Sequence, residues 1–334
     1  MFILVEPIIV EEYRGGVIEN VHQGIICVVN EEKEVVYAKG DIERPVFYRS
    51  AMKPIQAIPV FSSNIIEKYK LTKEEAALFL ASQRGEIYHE KALESLLQKL
   101  PLEEKLLVCG ESYPLNEAPK EQYIRAQKAK RKLLHNCAGK HLGFLAYAKE
   151  KGLSLDTYTD PKHPLQQEIY RYMKLLAEVT DDQVYSGMDG CGAPVYSIPL
   201  RHMAISYLKF GQPALIEDQQ VREAVVKIGE VMNAHPEIIA SHQFVCTALL
   251  EDDNILAKGG AQGVYCFTLK KERLSIALKV LTGSELVWPN ILADLLETLH
   301  YSNIDTIKRL RKIRGKAILN DSGEPIGETK TNLS

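Results

Sequence analysis

The periodicity of the apolar residues changes twice along the chain, and no other sequence feature constrains the fold as strongly. Residues 8–40 alternate between apolar and polar side chains and are rich in β-branched residues, which predicts antiparallel strands. Helical periodicity follows over about 50–176, and strands return as a predicted hairpin over 263–269 and 274–281. This order predicts an α+β fold, in which an antiparallel sheet built from both chain ends is covered by helices.

The domain organisation follows from the same order of segments. The 334 residues contain no internal repeat, low-complexity tract or linker, so we expect a single domain over 1–334. Its sheet lobe is expected to comprise about 1–50 and 235–334, and its helical lobe about 51–234. Helices are predicted over 73–81, 89–100, 123–134, 139–151 and 219–232.

Composition and charge argue against several functions. The net charge is −3 and charges of both signs are interspersed, so neither nucleic acid nor an anionic membrane is an expected partner. No apolar stretch reaches transmembrane length, and the N-terminal residues lack the basic segment of an export signal. The six cysteines are scattered along the chain, which is typical of a reducing compartment. We therefore expect a cytoplasmic protein without disulfides.

Ser50 and Lys53 form a Ser-x-x-Lys tetrad, which places a hydroxyl and an amine on the same face of a helix. Serine is a weak nucleophile until a base accepts its proton, and a neighbouring lysine can be that base. So short a motif is also compatible with a helix cap followed by a solvated lysine. The tetrad therefore needs support from the rest of the chain.

Four further segments, 81–86, 136–141, 189–194 and 258–261, are rich in Gly, Ser, Lys, Cys or His. Functional side chains are often carried on such segments between regular elements. A Ser-x-x-Lys helix facing a strand with Lys-Thr-Gly is typical of the penicillin-recognising serine enzymes. Lys258-Gly259-Gly260 stands at the corresponding place but lacks their hydroxyl residue, and a simple turn before a strand is the other interpretation.

Cys137 and Lys140 are spaced to meet on the first turn of a helix, and Cys191 lies in a glycine-rich loop. Two thiolates with one further ligand and an open position would resemble a catalytic zinc site, whereas a structural site needs four ligands. Lys140 could be the third ligand only as a neutral amine, and His141 or Asp189 would be a more conventional third ligand. Buried structural thiols without a metal are the other interpretation.

Six motifs stand in a fixed order along the chain: R-S-A-x-K-P-x-Q-A, A-S-x-x-G-E-x-x-H, N-C-x-G-K-H-x-G-F-L, H-P-x-Q, D-G-C-G-x-P and A-K-G-G-A-x-G-V-Y. Several motifs in order are more specific than any one of them. By these motifs the chain resembles the Asparaginase II family, the rhizobial-type or class 3 L-asparaginases. The resemblance runs from the N-terminal strands nearly to the C-terminus.

The resemblance implies a serine-dependent amidohydrolase with a fold similar to serine β-lactamases and glutaminases, and a homodimer. The implied reaction converts L-asparagine, or a similar small linear amide, and water to L-aspartate and ammonia, with zinc but no organic cofactor. Two serine–lysine tandems and a zinc site are implied, and further residues are predicted to bind substrate. These residues are the catalytic Ser50, Lys53, Ser82 and Lys258, the zinc ligands Cys137, Lys140 and Cys191, and the substrate-binding Arg49, Asp189 and His141.

The chain departs from the usual motifs near the predicted site. Gln83 and Arg84 follow Ser82 where the family has histidine and a variable residue, Ala138 replaces a serine, and Gln262 replaces a glutamate. Residues 241–246 stand where the family has a glycine-rich stretch with arginine and aspartate. These changes favour altered substrate preference or weakened activity. Two other functions stay open: a β-lactamase-like or peptidase-like acyl transferase, and a catalytically weakened homologue that binds an amino acid or a metal.

Overall fold

A computed structural model of the chain describes residues 5–333. Residues 1–4 and Ser334, which the predicted domain includes, lie outside the described part. The described strands are β1 (Ile8–Arg14), β2 (Val17–Val29), β3 (Val35–Lys39), β4 (Pro45–Phe47), β5 (Tyr185–Met188), β6 (Pro194–Pro199), β7 (Ile255–Gly260), β8 (Val264–Leu269), β9 (Leu274–Val280), β10 (Ala317–Leu319) and β11 (Pro325–Thr331).

The helices lie mainly between β4 and β7. The described α-helices are α1 (Lys53–Gln56), α2 (Ile58–Phe61), α3 (Ile65–Lys68), α4 (Lys73–Ala77), α5 (Ile87–Lys99), α6 (Glu117–Arg125), α7 (Ala138–Glu150), α8 (Pro164–Ala177), α9 (Leu200–Gly211), α10 (Gln219–Ala234), α11 (Pro236–Ile239), α12 (Val245–Leu250), α13 (Trp288–Thr298) and α14 (Ile304–Ile313).

The described chain divides into two compact units. The first comprises the described residues of Met1–Ala51 and Gln243–Ser334, together with Ile198–Gly211. The second comprises Met52–Ser197 and Gln212–His242. That the two units form a single domain stays a prediction.

The first unit is built on an antiparallel sheet with strand order β10-β11-β1-β2-β9-β8-β7, and β3 also pairs with β2. N-terminal strands β1 and β2 pair with C-terminal strands β11 and β9, so both chain ends complete the sheet. The predicted hairpin is β8 and β9, with Leu269 opposite Leu274. Helix α9 packs on β2, β8 and β9. The predicted α+β fold, with a helix-covered antiparallel sheet, is confirmed.

The second unit is mainly helical, with β5 and β6 as a short antiparallel pair. Every residue of α7 from Ala138 to Ala148 is buried, and the helix contacts α2, α3, α8 and the 3-10 turn Leu78–Leu80. A helix surrounded on all sides is usually apolar all round. Because charged side chains are seldom fully buried without a partner, Lys140 and His141 inside α7 mark it as unusual.

The helix predicted over 123–134 is wrong beyond Arg125. Helix α6 ends there, and Gln127 has a left-handed backbone with φ 52°. The basic segment after it offers no apolar face to bury, and Arg131 instead forms an antiparallel bridge with Ser112. Its guanidinium is held by Glu94 and Glu104, so tertiary ion pairs replace the helix that the residue spacing favours.

All six cysteines are free thiols, and all are buried. Cys27 on β2 and Cys266 on β8 are fully buried core residues of the sheet. None of the helices within residues 5–333 is both long and apolar enough to cross a membrane.

Asp252 connects the end of α12 to the start of α14 within the first unit. Its Oδ2 accepts hydrogen bonds from Tyr301 Oη at 2.7 Å, Asn303 Nδ2 at 2.8 Å and Thr306 Oγ1 at 2.6 Å. Asn254 N donates to Oδ1 at 3.0 Å. Burial alone would raise the pKa of Asp252, but these hydrogen bonds outweigh it and lower that pKa.

We expect Asp252→Asn to lower the free energy of unfolding at neutral pH by about 2–3 kcal/mol, because hydrogen bonds to a charged group are lost. The folded pKa is below the unfolded one, so the stabilisation is present above the unfolded pKa and is lost as the pH falls through the folded pKa. Urea unfolding of both proteins from pH 7 downward should therefore show converging stabilities. Exposed Asp253→Asn is the control, with a change within about 0.5 kcal/mol; equal losses in both variants would contradict the role of Asp252.

Candidate active site

The predicted nucleophile lies in a short turn directly before α1. Arg49–Met52 form a 3-10 turn in which Ser50 is the second residue, and Lys53 begins α1 immediately afterwards. Arg49 has φ 50°, a left-handed conformation that costs a non-glycine residue about 1–3 kcal/mol and is common at functional sites. The turn keeps Ser50 and Lys53 three residues apart on consecutive helical elements.

Strand β7, which carries Lys258, runs against this turn within the first unit. A Cβ built on Gly260 would lie 2.5 Å from Tyr48 O and 3.0 Å from Ala51 N, so only glycine permits this approach. Lys258 is buried, and its Nζ donates to Gly259 O at 3.0 Å. The first unit therefore brings the strand of Lys258 against the segment that contains Ser50. Lys258-Gly259-Gly260 lies within a strand and is not a simple turn.

In the second unit, three oxygen atoms surround the amine of buried Lys53. Its Nζ lies 2.5 Å from Ala81 O, 3.3 Å from Asn136 O and 3.0 Å from Ser82 Oγ. A neutral amine has two hydrogens and one lone pair. The two carbonyls can take both hydrogens, which leaves the lone pair to accept the hydroxyl hydrogen of Ser82. This arrangement fits a base beside a serine.

The electrostatics favour the neutral form of Lys53. Burial lowers its pKa, and the nearby Lys140 lowers it further, against the opposing effect of the thiols of Cys137 and Cys191. A lysine with a lowered pKa can accept a proton at a pH where an exposed lysine cannot. The resemblance pairs Ser82 with Lys258, whereas the structure also places Ser82 beside Lys53.

Cys137, Lys140 and Cys191 come together in the interior of the second unit. Cys137 is the N-cap of α7, and Lys140 lies in the first turn of that helix, where its Nζ donates to Cys191 Sγ at 3.2 Å. A hydrogen bond with Cys191 and the positive charge of Lys140 hold the pKa of Cys137 well below its usual range. The same hydrogen bond and burial raise the pKa of Cys191. The pair therefore favours one thiolate and one thiol.

Lys140 differs from Lys53 although both amines are buried. Burial alone would lower the pKa of Lys140, but Cys137 and Cys191 together with Asp189 outweigh it and raise that pKa. These neighbours favour the charged form of Lys140. Of these two lysines, Lys53 has the lowered pKa that a general base needs.

The donor set fits a soft divalent cation such as zinc. Zinc binds thiolates and neutral nitrogen donors, and Lys140 would have to release its proton on binding. No group of three or more His, Cys, Asp or Glu side chains within residues 5–333 could hold a metal. Lys140 Nζ, 3.2 Å from Cys191 Sγ, is a nitrogen donor beside the two thiols.

Glycines bring the start of α7 close to the Ser82 loop. A Cβ built on Gly139 would lie 2.7 Å from the carbonyl carbon of Leu78, and one on Gly143 would lie 3.0 Å from the ring of Phe79. Leu78 and Phe79 belong to the 3-10 turn that leads directly into Ala81 and Ser82. Helix α7 can therefore approach this turn closely, which positions Cys137 and Lys140 near the chain that carries Ser82.

Cys137, Lys140 and Cys191 form a group that we call the thiol cluster. Asp189 and His141, two of the predicted substrate-binding residues, lie beside it. Asp189 contributes to the raised pKa of Lys140, and its Oδ1 accepts a hydrogen bond from Gly190 N at 2.7 Å. His141 follows Lys140 in α7 and is fully buried. The third residue, Arg49, lies in the first unit.

A hydrogen bond with Tyr158 fixes the orientation of the His141 imidazole. No feature of the sequence indicated this contact. The Tyr158 hydroxyl accepts a hydrogen bond from Val108 N at 2.9 Å and lies 2.7 Å from His141 Nδ1. If that hydroxyl donates to Nδ1, the imidazole hydrogen is on Nε2. Nε2 has no hydrogen-bond partner among residues 5–333, so His141 can offer a buried donor to a bound molecule.

The departures from the family motifs occupy structural positions. Gln83 is buried and hydrogen-bonded to backbone groups, and Arg84 Nε donates to Asn116 Oδ1 at 2.5 Å. Ala138 is a fully buried residue at the start of α7, and Gln262 stands in the turn between β7 and β8 with φ 66°. These contacts explain Gln83 and Arg84 as parts of the protein's own packing.

Comparison with known proteins gives a family and a set of structural neighbours. The family model described as L-asparaginase II matches residues 10–331. No individual curated protein matches the chain.

The solved structures that match include two β-lactamases. A β-lactamase from Mycobacterium bovis is 11% identical, with a TM-score of 0.40 over 82% of this chain and 94% of that chain. A class C β-lactamase mutant is 11% identical, with a TM-score of 0.43 over 87% and 91%. A D-alanine carboxypeptidase from Burkholderia cenocepacia is also 11% identical, with a TM-score of 0.38 over 87% and 93%.

We expect Gly139→Ala to lower the free energy of unfolding by about 1–3 kcal/mol, because the added methyl group meets backbone that cannot move aside cheaply. Gly110→Ala is the matched control, since nothing lies within 4 Å of its built Cβ and its φ is not left-handed. Its effect should stay within about 0.5 kcal/mol. Urea unfolding measures both, and equal stabilities of the two variants would contradict the close packing of α7.

Proposed function

Because the chain belongs to the L-asparaginase II family and is therefore a hydrolase, we propose that it is a serine-dependent amidohydrolase. The proposed reaction converts L-asparagine and water to L-aspartate and ammonia. The observation that carries this proposal is the buried amine of Lys53, with its lowered pKa, 3.0 Å from Ser82 Oγ. A base next to a serine is the arrangement that serine-dependent acyl transfer needs.

In the proposed first step, Ser50 Oγ attacks the side-chain amide carbon of the substrate while Lys53 Nζ takes the hydroxyl proton. Ser82 accepts a proton from Lys53 and, with Lys258, delivers it to the amide nitrogen, which departs as ammonia. Backbone N–H groups near Ser50 stabilise the negative charge on the carbonyl oxygen. Water then cleaves the acyl ester, which releases L-aspartate and restores the serine hydroxyl.

The contact between Lys53 and Ser82 also supports a second assignment, in which Ser82 is the nucleophile. In that case Lys53 takes the proton of Ser82 directly, and Ser50 transfers the proton to the leaving group. Both assignments use the same base and give the same products. They differ in which serine carries the acyl group.

Cys137, Lys140 and Cys191 are proposed to hold zinc. Bound zinc would supply a positive charge that orients the substrate. The residues of the chain supply the remaining contacts: Arg49 is proposed to bind the carboxylate of the substrate, and His141 Nε2 to donate to one of its oxygens. Asp189 is proposed to hold Lys140 in place.

We further propose that the protein acts as a cytoplasmic homodimer. The six buried free thiols support a reducing compartment. Apolar side chains of Val17, Ile18 and Val21 on β2 are exposed, and a partner subunit would cover such residues. Light scattering of the purified protein measures the oligomeric state.

We expect Ser50→Ala and Ser82→Ala each to lower kcat for ammonia release by at least about 100-fold, the usual range for groups that transfer or accept the proton. An electrophilic asparagine analogue, followed by peptide mass spectrometry, identifies the acylated serine. Adduct on Ser50 supports the first assignment and adduct on Ser82 the second. Near-normal turnover in either variant would show that its serine has no role in the chemistry.

Assays of turnover and binding separate the proposed reaction from the two other candidate functions. Ammonia release from asparagine, glutamine and related amides supports amide hydrolysis and ranks the substrates. Turnover of nitrocefin without ammonia release would favour a β-lactamase-like enzyme. Tight binding of asparagine without any turnover would favour a catalytically weakened homologue.

We expect Cys137→Ser, Cys191→Ser and Lys140→Ala each to remove stoichiometric zinc, because each variant loses one of three protein ligands. Cys109→Ala, at another buried thiol of the second unit, should retain it. Metal content after dialysis against zinc-buffered solution measures the difference. Full zinc content in all three ligand variants would rule out this site.

A further inference from the structure

Gln83, one of the departures from the family motifs, makes three hydrogen bonds to backbone groups. Its Nε2 donates to Leu134 O at 2.8 Å and to His135 O at 2.9 Å, and its Oε1 accepts from Gly85 N at 2.6 Å. The side chain is only 1% exposed. All the hydrogens of its amide group are therefore used inside the protein, and none is left for a bound molecule.

These hydrogen bonds join two segments that both contribute to the candidate active site. On one side, Gln83 directly follows Ser82. On the other, Leu134 and His135 directly precede Asn136, whose carbonyl accepts from Lys53 at 3.3 Å. The next residue is Cys137, the N-cap of α7. Gln83 therefore joins residues 81–86, the serine loop, to residues 134–137. The second segment supplies both the Asn136 carbonyl that accepts from Lys53 and Cys137 of the thiol cluster.

The amide group of glutamine suits this position better than an imidazole would. A neutral imidazole has one N–H donor and one acceptor nitrogen, whereas the amide group has two N–H donors and an acceptor oxygen. Glutamine can therefore satisfy both carbonyls and Gly85 N at the same time. Gly85 has φ 78°, which lets the loop turn back so that its N–H meets Gln83 Oε1.

We propose that Gln83 is a positioning residue, which keeps Ser82 in reach of Lys53 by holding the 81–86 loop against the 134–137 segment. This inference rests on the proposed function, because it concerns the geometry of the same serine and lysine. Because its amide group is fully used by backbone groups, Gln83 does not select the substrate. Loss of its hydrogen bonds should affect the chemical step more than substrate binding.

The test compares Gln83→Ala with Asn290→Ala. Asn290 is a fully buried amide of the first unit and donates to one backbone carbonyl, Gly315 O, at 3.0 Å. We expect Gln83→Ala to lower kcat by about 10- to 100-fold, the range seen when a supporting contact of an active-site group is lost, with KM changed less than about threefold. Asn290→Ala should keep kcat within about twofold although it also loses a buried hydrogen bond. An equal loss of kcat in both variants would overturn the proposal.

Two conservative variants separate positioning from general destabilisation. Gln83→His keeps one donor and one acceptor and should restore part of the lost kcat, whereas Gln83→Glu is isosteric but cannot donate to either carbonyl and should behave like Gln83→Ala. The opposite order, or no rescue by Gln83→His, would contradict the assigned hydrogen bonds. The thermal midpoints of all variants are measured alongside, so that a loss of folded protein is not counted as a loss of kcat.

Hydrogen exchange gives a readout that does not depend on catalysis. In Gln83→Ala, backbone amides of both 81–86 and 134–137 should exchange faster than in the wild type, because the two segments are no longer joined. In Asn290→Ala both should exchange at the wild-type rate. If the wild-type protein released no ammonia from any amide, the proposed function would fail, yet faster exchange in both segments would still support the role of Gln83. Unchanged exchange in either segment would overturn it.

Discussion

The buried amine of Lys53 is the constraint on which the candidate active site depends. An amine in a protein interior must find acceptors for its hydrogens or lose stability, and here the acceptors come from Ala81 and Asn136. These residues lie on two segments that are distant in sequence. The hydrogen bonds of the Lys53 amine therefore hold residues 81–86 and the start of α7 close together. Ser82 and Cys137 lie at this point because each directly follows one of the two acceptor residues.

Two buried lysines in one interior are kept in different protonation states by their neighbours. Lys140 lies against two sulfurs, which favour its charged form, whereas burial dominates for Lys53 and favours its neutral form. The positive charge of Lys140 also lowers the pKa of Lys53. Pairs of titratable groups whose environments push their pKa values apart are common in active sites. Burial and the positive charge of Lys140 thus support the neutral form of the base, whereas the thiols of Cys137 and Cys191 oppose it.

The sequence predicted the parts of this protein that depend on local periodicity and on residues within one motif. The hairpin of β8 and β9 and the position of Cys137 and Lys140 at the start of α7 follow from alternation and helical spacing. The helix predicted over 123–134 failed because Arg131 is held by Glu94 and Glu104, and ion pairs between distant residues leave no periodic signal. For the same reason the sequence did not indicate that Tyr158 orients His141.

The substitutions around Ser82 show that a departure from a motif is a poor guide to function until the contacts of the substituted residues are known. From the sequence, Gln83 and Arg84 favour altered substrate preference, because both are polar and adjacent to a catalytic candidate. In the structure, Gln83 Nε2 and Oε1 are satisfied by backbone groups, and the Nε of Arg84 donates to Asn116.

Asn116 Nδ2 in turn donates to Glu86 Oε1 at 2.6 Å and Ser241 Oγ at 3.2 Å. Ser241 belongs to another segment that departs from the family pattern, so the changes at Arg84 and Ser241 meet at one side chain. Residues that share a hydrogen-bond network are energetically coupled, which makes compensation within the fold the simpler account of both departures.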